Sequence, residues 1–287
     1  MSLSDYFLLV KPRIIPLLVF VALASSVIAA KGLPPLGVLL GVAVGGMITS
    51  AGALTLNSYL EMGIDARMKR TMNRPLPSKR IIPPGRALLM GLLLIAFGLA
   101  LAALTINLLA TFFIALGAII YVPVYTIWLK PRTTWNIVLG GFAGSCTCLA
   151  GWYAVTTAYP LVPWILGGLV FVWTPSHFWS LAVLTEEDYY HAGIPMLPSV
   201  VGPVAASRYI VANTLILIPV SLLLIPFLTG WGEYLYLAGA SAFDLALLAT
   251  NIKLLASPTK SNAWLAFKFS APYLAVIFLI AMVAAVL

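Results

Sequence analysis

Long apolar stretches follow one another at short intervals along the whole of this sequence. Nine of them are close to, or above, the roughly 20 residues that a helix needs to cross the hydrocarbon core of a membrane. They run over 14–31, 36–62, 86–105, 107–128, 134–156, 162–184, 207–228, 234–255 and 264–287. Most connections are short, and the two longer ones cover 63–85 and 185–206. The sequence therefore predicts a single polytopic membrane domain over 1–287.

The composition excludes the other broad classes of protein. Of the 287 residues, 62% are hydrophobic and only 8% are charged, whereas about 25% are charged in an ordinary soluble domain. A soluble fold could not bury so much apolar surface, and a disordered chain needs low hydrophobicity. The apolar runs are also too continuous for an outer-membrane barrel, whose strands alternate between apolar and polar residues. We predict an all-α integral membrane protein with nine transmembrane helices.

The distribution of basic residues predicts the orientation. If the N-terminus lies inside, 14 of the 16 lysines and arginines fall on inner segments. These are Lys11, Arg13, Arg67, Lys69, Arg70, Arg74, Lys79, Arg80, Arg86, Lys130, Arg132, Arg208, Lys253 and Lys260. Such an excess is typical of cytoplasmic segments. We expect a multi-pass protein of the cell membrane with its N-terminus inside, its C-terminus outside and the segments 63–85 and 185–206 in the cytoplasm.

Acidic residues are few, and five of the eight lie in two short segments, 61–65 and 186–188. In the first segment, Glu61 and Asp65 continue a spacing of four that begins at Asn57, so the three side chains form a ladder along one helix face. All three offer oxygen atoms, the donors that Mg²⁺ prefers. The sequence predicts a magnesium site here.

The second acidic segment begins at the predicted inner end of the sixth span. It contains Glu186, Glu187 and Asp188. We take Glu187 and Asp188 as metal candidates, and which of the three acids meets the metal stays open. The candidate catalytic residues are Asn57, Glu61, Asp65 and Asp188.

Basic residues stand next to these acids, which indicates a phosphorylated substrate bound through metal and cations together. The candidates for contact with the substrate phosphate are Lys11, Arg13, Lys69, Arg70, Arg74, Tyr125 and Lys130. For Lys79, Arg80 and Arg86 we favour a simpler role, anchoring the inner face and attracting anionic lipid. Groups from spans 1, 2, 4 and 6 thus converge at one side, which favours an active site on the cytoplasmic side over a transporter site at the membrane midplane.

His177 lies within the sixth span. It precedes Asp188 by 11 residues, which in a continuous helix would place it on nearly the same face and about 16 Å deeper. Ionisable residues inside a membrane bundle are functional candidates. The alternative is a packing histidine bonded to a backbone carbonyl.

Five segments of the sequence resemble the UbiA superfamily of intramembrane prenyltransferases, most closely its haem-modifying branch. They are LVKPRI at 9–14, NSYLEMGIDARMKRTMNRPLP at 57–77, YTIWLKPRTTWNIVLGGFAGS at 125–145, HFWSLAVLTEEDYYHAGIPMLP at 177–198 and FKFSAPYL at 267–274. The resemblance implies nine helices around a central cavity. It also implies Mg²⁺-dependent transfer of a farnesyl group from farnesyl diphosphate to a vinyl group of protohaem IX (haem B), which gives haem O and diphosphate.

The resemblance also suggests roles for individual residues. It places Asn57, Glu61 and Asp65 in the first acidic motif of the family and Asp188 in the second, with the bases and Tyr125 on the diphosphate side. Glu61 stands where the family more often has Asp. We expect His177 to contact the haem.

The expected partners are the two substrates and membrane lipid, with a downstream haem-modifying or terminal oxidase assembly protein and no nucleic acid. Two other functions stay open. A related prenyltransferase would act on a quinone precursor or a lipid headgroup with the same metal site. A membrane transporter would need charges at mid-span, and only Asp244 and Lys268 lie deep outside the motifs.

Overall fold

The computed structural model describes residues 3–158 and 160–287, and within these ranges the chain forms helices and connecting turns without a β-strand. The helices are α1 (Leu3–Leu9), α2 (Ile15–Ala30), α3 (Leu36–Leu60), α4 (Met62–Asp65), α5 (Gly85–Thr105), α6 (Leu108–Ile119), α7 (Asn136–Gly140), α8 (Phe142–Tyr153), α9 (Val162–Leu184), α10 (Glu186–Ala192), α11 (Leu197–Leu222), α12 (Trp231–Ala256) and α13 (Lys260–Val286). A π-helical segment, Ile120–Leu129, continues α6.

Seven helical segments in the described part of the chain are long and apolar enough to cross a membrane. They are Leu36–Leu60, Gly85–Thr105, Leu108–Leu129, Val162–Leu184, Leu197–Phe227, Trp231–Ala256 and Lys260–Val286. The predicted all-α membrane class is confirmed. The two other expected spans are helical but shorter: α2 has 16 residues, and the stretch 134–156 is divided into α7 and α8 at Gly141. The count of nine, the central cavity and the orientation stay predictions.

The segment 185–206 contains more helix than its sequence indicates. It holds the whole of α10, which ends at Gly193 in the left-handed conformation (φ 71°). It also holds the start of α11, which begins at Leu197 rather than near residue 207. Gly202 (φ 80°) departs from the helical conformation just before Pro203 and kinks α11 there. The part of α11 before the kink can therefore run in a different direction from the apolar part that follows it.

Neighbouring helices pack against each other largely in chain order, and α13 closes the bundle against α2. Helix α3 lies very close to α5, because a Cβ atom on Gly52 would be only 2.7 Å from the carbonyl oxygen of Gly91. Small residues permit such close contact between membrane helices. Helix α2 is fixed to α8 by Ser25 and Ser26, whose hydroxyls donate to the carbonyls of Cys148 and Gly151 at 2.8 Å each. These contacts fix the positions of α3 against α5 and of α2 against α8.

A buried carboxylate links three of the C-terminal helices. Asp244 of α12 accepts hydrogen bonds from the Ser221 hydroxyl of α11 and from the Tyr273 hydroxyl of α13, at 2.6 Å each. The Tyr236 hydroxyl donates to the Ser221 carbonyl at 2.9 Å. The deep acid in the sequence therefore has a structural role in joining α11, α12 and α13.

Candidate active site

The ladder of oxygen-bearing side chains lies where α3 gives way to α4. Asn57 is in the last turn of α3, Glu61 stands between the two helices, and Asp65 ends α4. The Glu61 N–H donates to the Asn57 carbonyl at 2.9 Å, and the Asp65 N–H donates to the Glu61 carbonyl at 2.7 Å. These bonds preserve the spacing of one helical turn across the junction. All three residues are at most 4% exposed.

Each member of the ladder is in contact with one basic side chain. The Lys11 ammonium donates to Asn57 Oδ1 at 2.5 Å. The ammonium of Lys130 lies 2.5 Å from Glu61 Oε1, and the Arg74 guanidinium lies 2.8 Å from Asp65 Oδ2. The three bases come from separate parts of the chain: the turn before α2, the end of the π-helical segment and the loop after α4. The fold thus brings together six of the residues that the sequence singles out.

Helix α3 and the π-helical segment meet in a regular register. Asn57 Nδ2 donates to Thr126 Oγ1 at 2.9 Å, and Glu61 pairs with Lys130. Both pairs join residues 69 positions apart, so the two segments run side by side in the same direction over one turn. Thr126 also fixes the amide orientation of Asn57, a role that sequence reasoning missed although Thr126 follows Tyr125 directly.

Burial changes the charge behaviour of two of these lysines. Burial, followed by the positive charge of Arg74, lowers the pKa of Lys11 to about 7. Burial also acts to lower the pKa of Lys130, but the adjacent Glu61 carboxylate outweighs it, and the pKa of Lys130 is raised. The Lys130 side chain therefore stays protonated and positively charged beside Glu61. Its ammonium also lies 5.9 Å from the centre of the Tyr125 ring, which brings Tyr125 into the site.

The three acids of the second segment have different surroundings. Asp188 accepts two backbone hydrogen bonds, from the N–H of Lys69 at 3.1 Å and from that of Arg70 at 3.2 Å. It thereby fastens α10 to the basic segment that follows the ladder.

Its neighbour Glu187 points elsewhere. The Glu187 side chain is 69% exposed and pairs with Lys260 at 3.0 Å. The Lys260 hydrogen bond and charge lower the pKa of Glu187. The pKa of Glu186 is raised by partial burial and by the charge of Glu187.

The other basic candidates have exposed side chains. They are Arg13, Lys69 and Arg70. For Lys69 and Arg70, the structure gives the backbone N–H groups a role that the sequence does not suggest, because these groups hold Asp188.

His177 lies in an aromatic slot between α9 and α13. Its ring stacks against Trp173 at 4.4 Å and against Phe267 at 4.7 Å between ring centres. Its Nδ1 atom is hydrogen-bonded to Ser270 Oγ, and Trp173 Nε1 donates to the Ser270 carbonyl at 2.8 Å. Phe267 and Ser270 belong to the FKFSAPYL segment, which the sequence marks without assigning a residue of it to the site.

The donor set is suited to Mg²⁺. Asn57, Glu61 and Asp65 offer only oxygen atoms, and each carboxylate has a second oxygen besides the one that meets its base. Among the described residues, no three His, Cys, Asp or Glu side chains form a group that could hold a metal. Mg²⁺ commonly binds through one or two carboxylates together with water and substrate phosphates, and the ladder is compatible with that mode.

The fold is that of a multi-pass helical membrane protein. Its buried ladder and the three bases that contact the ladder lie together at one end of the helical bundle. The chain belongs to the UbiA prenyltransferase family, whose model matches residues 18–284. It is a prenyltransferase.

Relatives that match over nearly the whole chain include two protoheme IX farnesyltransferases. Protoheme IX farnesyltransferase 1 of Cenarchaeum symbiosum is 44% identical, over 93% of this chain and 91% of its own length. Protoheme IX farnesyltransferase of Sulfolobus acidocaldarius is 41% identical, over 100% of this chain and 98% of its own.

Solved structures share the fold. A digeranylgeranylglyceryl phosphate synthase superposes with a TM-score of 0.78 at 19% identity, over 99% of this chain and 98% of that one. A UbiA homologue from Archaeoglobus fulgidus, bound to GPP and Mg²⁺, superposes with a TM-score of 0.67 at 16% identity, over 96% of this chain and 99% of that one. At these identities the likeness concerns the fold alone.

Proposed function

We propose that this chain transfers a farnesyl group from farnesyl diphosphate to a vinyl group of haem B, giving haem O and diphosphate. The observation that carries the donor half is the buried ladder, in which three oxygen-bearing side chains each meet a base. The acceptor half is supported by the two full-length relatives, both named protoheme IX farnesyltransferase. Both exceed 40% identity, far above the solved structures.

The proposed diphosphate site consists of the ladder, Asp188 and the surrounding bases. Asn57, Glu61 and Asp65 would hold Mg²⁺, which when bound would offset negative charge on the leaving diphosphate. Lys11, Arg74 and Lys130 already point their charged ends at this cluster, so they can donate to phosphate oxygens without large movement. Because the site is buried, such charge-assisted bonds are stronger than they would be in water.

The reaction needs no protein nucleophile. The C–O bond to the diphosphate breaks, and its electron pair leaves with the diphosphate. The vinyl π electrons then form the new C–C bond to the farnesyl carbon. Water adds to the resulting cation and loses a proton, which leaves a hydroxyl group. The role of the protein is to bind and orient both substrates, to stabilise the leaving group and to exclude water until the C–C bond has formed.

The proposed acceptor site includes His177. A flat porphyrin can stack on the aromatic residues beside it, and haem iron favours imidazole as a ligand. Since Nδ1 of His177 is bonded to Ser270, Nε2 is the nitrogen that would reach the haem.

The experiment compares the acceptors directly. Membranes that contain the protein are incubated with farnesyl diphosphate and either haem B or a quinone precursor, and the products are identified by mass. We expect a haem product with the mass of one added farnesyl group and one hydroxyl. A prenylated quinone precursor without haem O would contradict the acceptor assignment.

Matched variants connect the activity to the site. Asp65→Asn removes the ladder charge that faces Arg74 and should reduce turnover about 100-fold or more, the size of losing one strong electrostatic contact at a reacting centre. Glu233→Gln makes the same chemical change at the start of α12 and should have little effect. Full activity of Asp65→Asn with saturating substrate would refute the metal role.

A further inference from the structure

An apolar groove lies on the surface between α1 and α5. Its volume is about 440 Å³, and its lining combines Tyr6 of α1 with one stripe of α5. The stripe consists of Arg86, Leu89, Met90, Leu93, Leu94 and Phe97. Apart from Arg86 at its start, every member of the stripe is apolar.

The length of the groove matches one half of a membrane. From Arg86 to Phe97 the helix rises about 16 Å, and the hydrocarbon core of a membrane is about 30 Å thick. The stripe is therefore as long as the acyl chain of a lipid in one leaflet. Arg86 marks the interface at one end, because α5 begins at Gly85.

The wall formed by α1 is firmly attached. Asp5 of α1 is buried and pairs with Arg80 at 3.0 Å. Leu9 packs into a small core with Leu76, Ile81 and Ala87, against which Tyr6 is also packed. The α1 side of the groove is thus held in place by an ion pair and a hydrophobic cluster.

The stretch that leads directly into α5 carries positive charge. Residues 76–86 contain Lys79, Arg80 and Arg86 and no acid, and Asp5 of α1 pairs with Arg80. Arg86 itself is exposed. A ligand for this groove must therefore combine an anionic head with an aliphatic chain.

We infer that the groove binds one anionic phospholipid, with its phosphate at Arg86 and one acyl chain along Leu89, Leu93 and Phe97. Basic pockets beside membrane helices recognise anionic head groups in this way. The groove and the proposed substrate site have no residue in common, because none of the lining residues belongs to the ladder or to its three bases.

The test measures lipid binding to the full chain in detergent by native mass spectrometry, with phosphatidylglycerol and phosphatidylcholine titrated separately. No turnover is needed, so the result does not depend on the proposed function. We expect one phosphatidylglycerol to bind in preference to phosphatidylcholine. Arg86→Gln should weaken that binding roughly fivefold, the effect of one basic group near an anionic headgroup.

Two further variants separate the groove from general surface charge. Leu93→Trp fills the groove without changing any charge and should also weaken phosphatidylglycerol binding. Arg208→Gln removes an exposed arginine from α11 and should leave the binding unchanged. Equal binding of the two lipids by the unmodified protein, or equal losses in Arg86→Gln and Arg208→Gln, would overturn the inference. Displacement of the bound lipid by farnesyl diphosphate would overturn it too, because the groove would then be a path for substrate.

Discussion

Buried charges that are matched one to one make the site sensitive to single substitutions. Glu61 and Asp65 are almost completely buried, and each has one basic partner at the distance of a direct ion pair. Removing one partner leaves the other charge uncompensated in a medium of low polarity, which is costly. Variants of the bases should therefore be compared at equal folded amounts before their kinetics are interpreted.

Two of the three acids at the start of α10, Asp188 and Glu187, provide a sharp contrast. Asp188→Asn should lower kcat/KM for the prenyl diphosphate roughly tenfold to a hundredfold, because it removes the charge that two backbone N–H groups hold beside the basic segment. Glu187→Gln changes an exposed side chain that pairs with Lys260 and should leave kcat/KM within about twofold, since exposed pairs contribute little. Steady-state kinetics of both purified variants provide the measurement. Equal losses in the two variants would indicate that Glu187 binds metal together with Asp188.

The role of His177 can be tested by spectroscopy rather than by activity. Titration of the purified protein with haem should produce a shifted Soret band, and His177→Ala should alter that band and weaken haem binding. His191→Ala is the natural control, because His191 is exposed on α10. If His177→Ala has the spectrum and affinity of the unmodified protein, His177 is a packing residue and the aromatic slot is not the haem site.

Local spacing could be predicted from the sequence, and distant partners could not. The ladder follows from a repeat of four on one helix, so Asn57, Glu61 and Asp65 could be grouped in advance. Their partners are far away in the chain: the Glu61 to Lys130 pair spans 69 positions. Adjacent residues on a helix point about 100° apart, so Asp188 and Glu187 face different surroundings. Which of the two faces the basic segment depends on how α10 packs in the fold.

At the scale of the helices, hydropathy found the apolar elements and missed the irregular ones. Long apolar runs predicted α3, α5 and α9 through their composition alone. The break at Gly141 and the helix α10 were not predicted, because neither depends on a long apolar run. Such irregular elements are positioned by contacts made in the folded chain, such as the bond from Asp188 to the basic segment.

The link made by Asp244 leads to a prediction at this scale. Asp244→Ala removes two hydrogen bonds between helices and should lower the free energy of unfolding by about 1 kcal/mol, since such bonds average about 0.6 kcal/mol each in membranes. Thr250→Ala on the same helix is the control, because the Thr250 hydroxyl donates within α12, to the Leu247 carbonyl. Unfolding in denaturant would measure both variants. Equal stability of the two would show that Asp244 does not join the helices.

For the whole molecule, the site and the charge pattern agree on one membrane face. The ladder, its bases and Asp188 gather at one end of the bundle, where most lysines and arginines of the chain are expected. The parallel register of α3 with the π-helical segment requires both to end on the same side. The second and fourth predicted spans end on the same side when consecutive spans alternate in direction, and the basic residues predict that this side is the cytoplasmic one.

That arrangement predicts which face is cytoplasmic. Single cysteines introduced at Asn73 and at the exposed Tyr190 should resist a membrane-impermeant maleimide in intact cells and react after permeabilisation. A cysteine at Leu33, exposed between α2 and α3, should react in intact cells. The native Cys146 and Cys148 are buried, so the unmodified protein should give little background. Labelling of position 73 or 190 from outside, with position 33 protected, would reverse the orientation and place the ladder on the outer face.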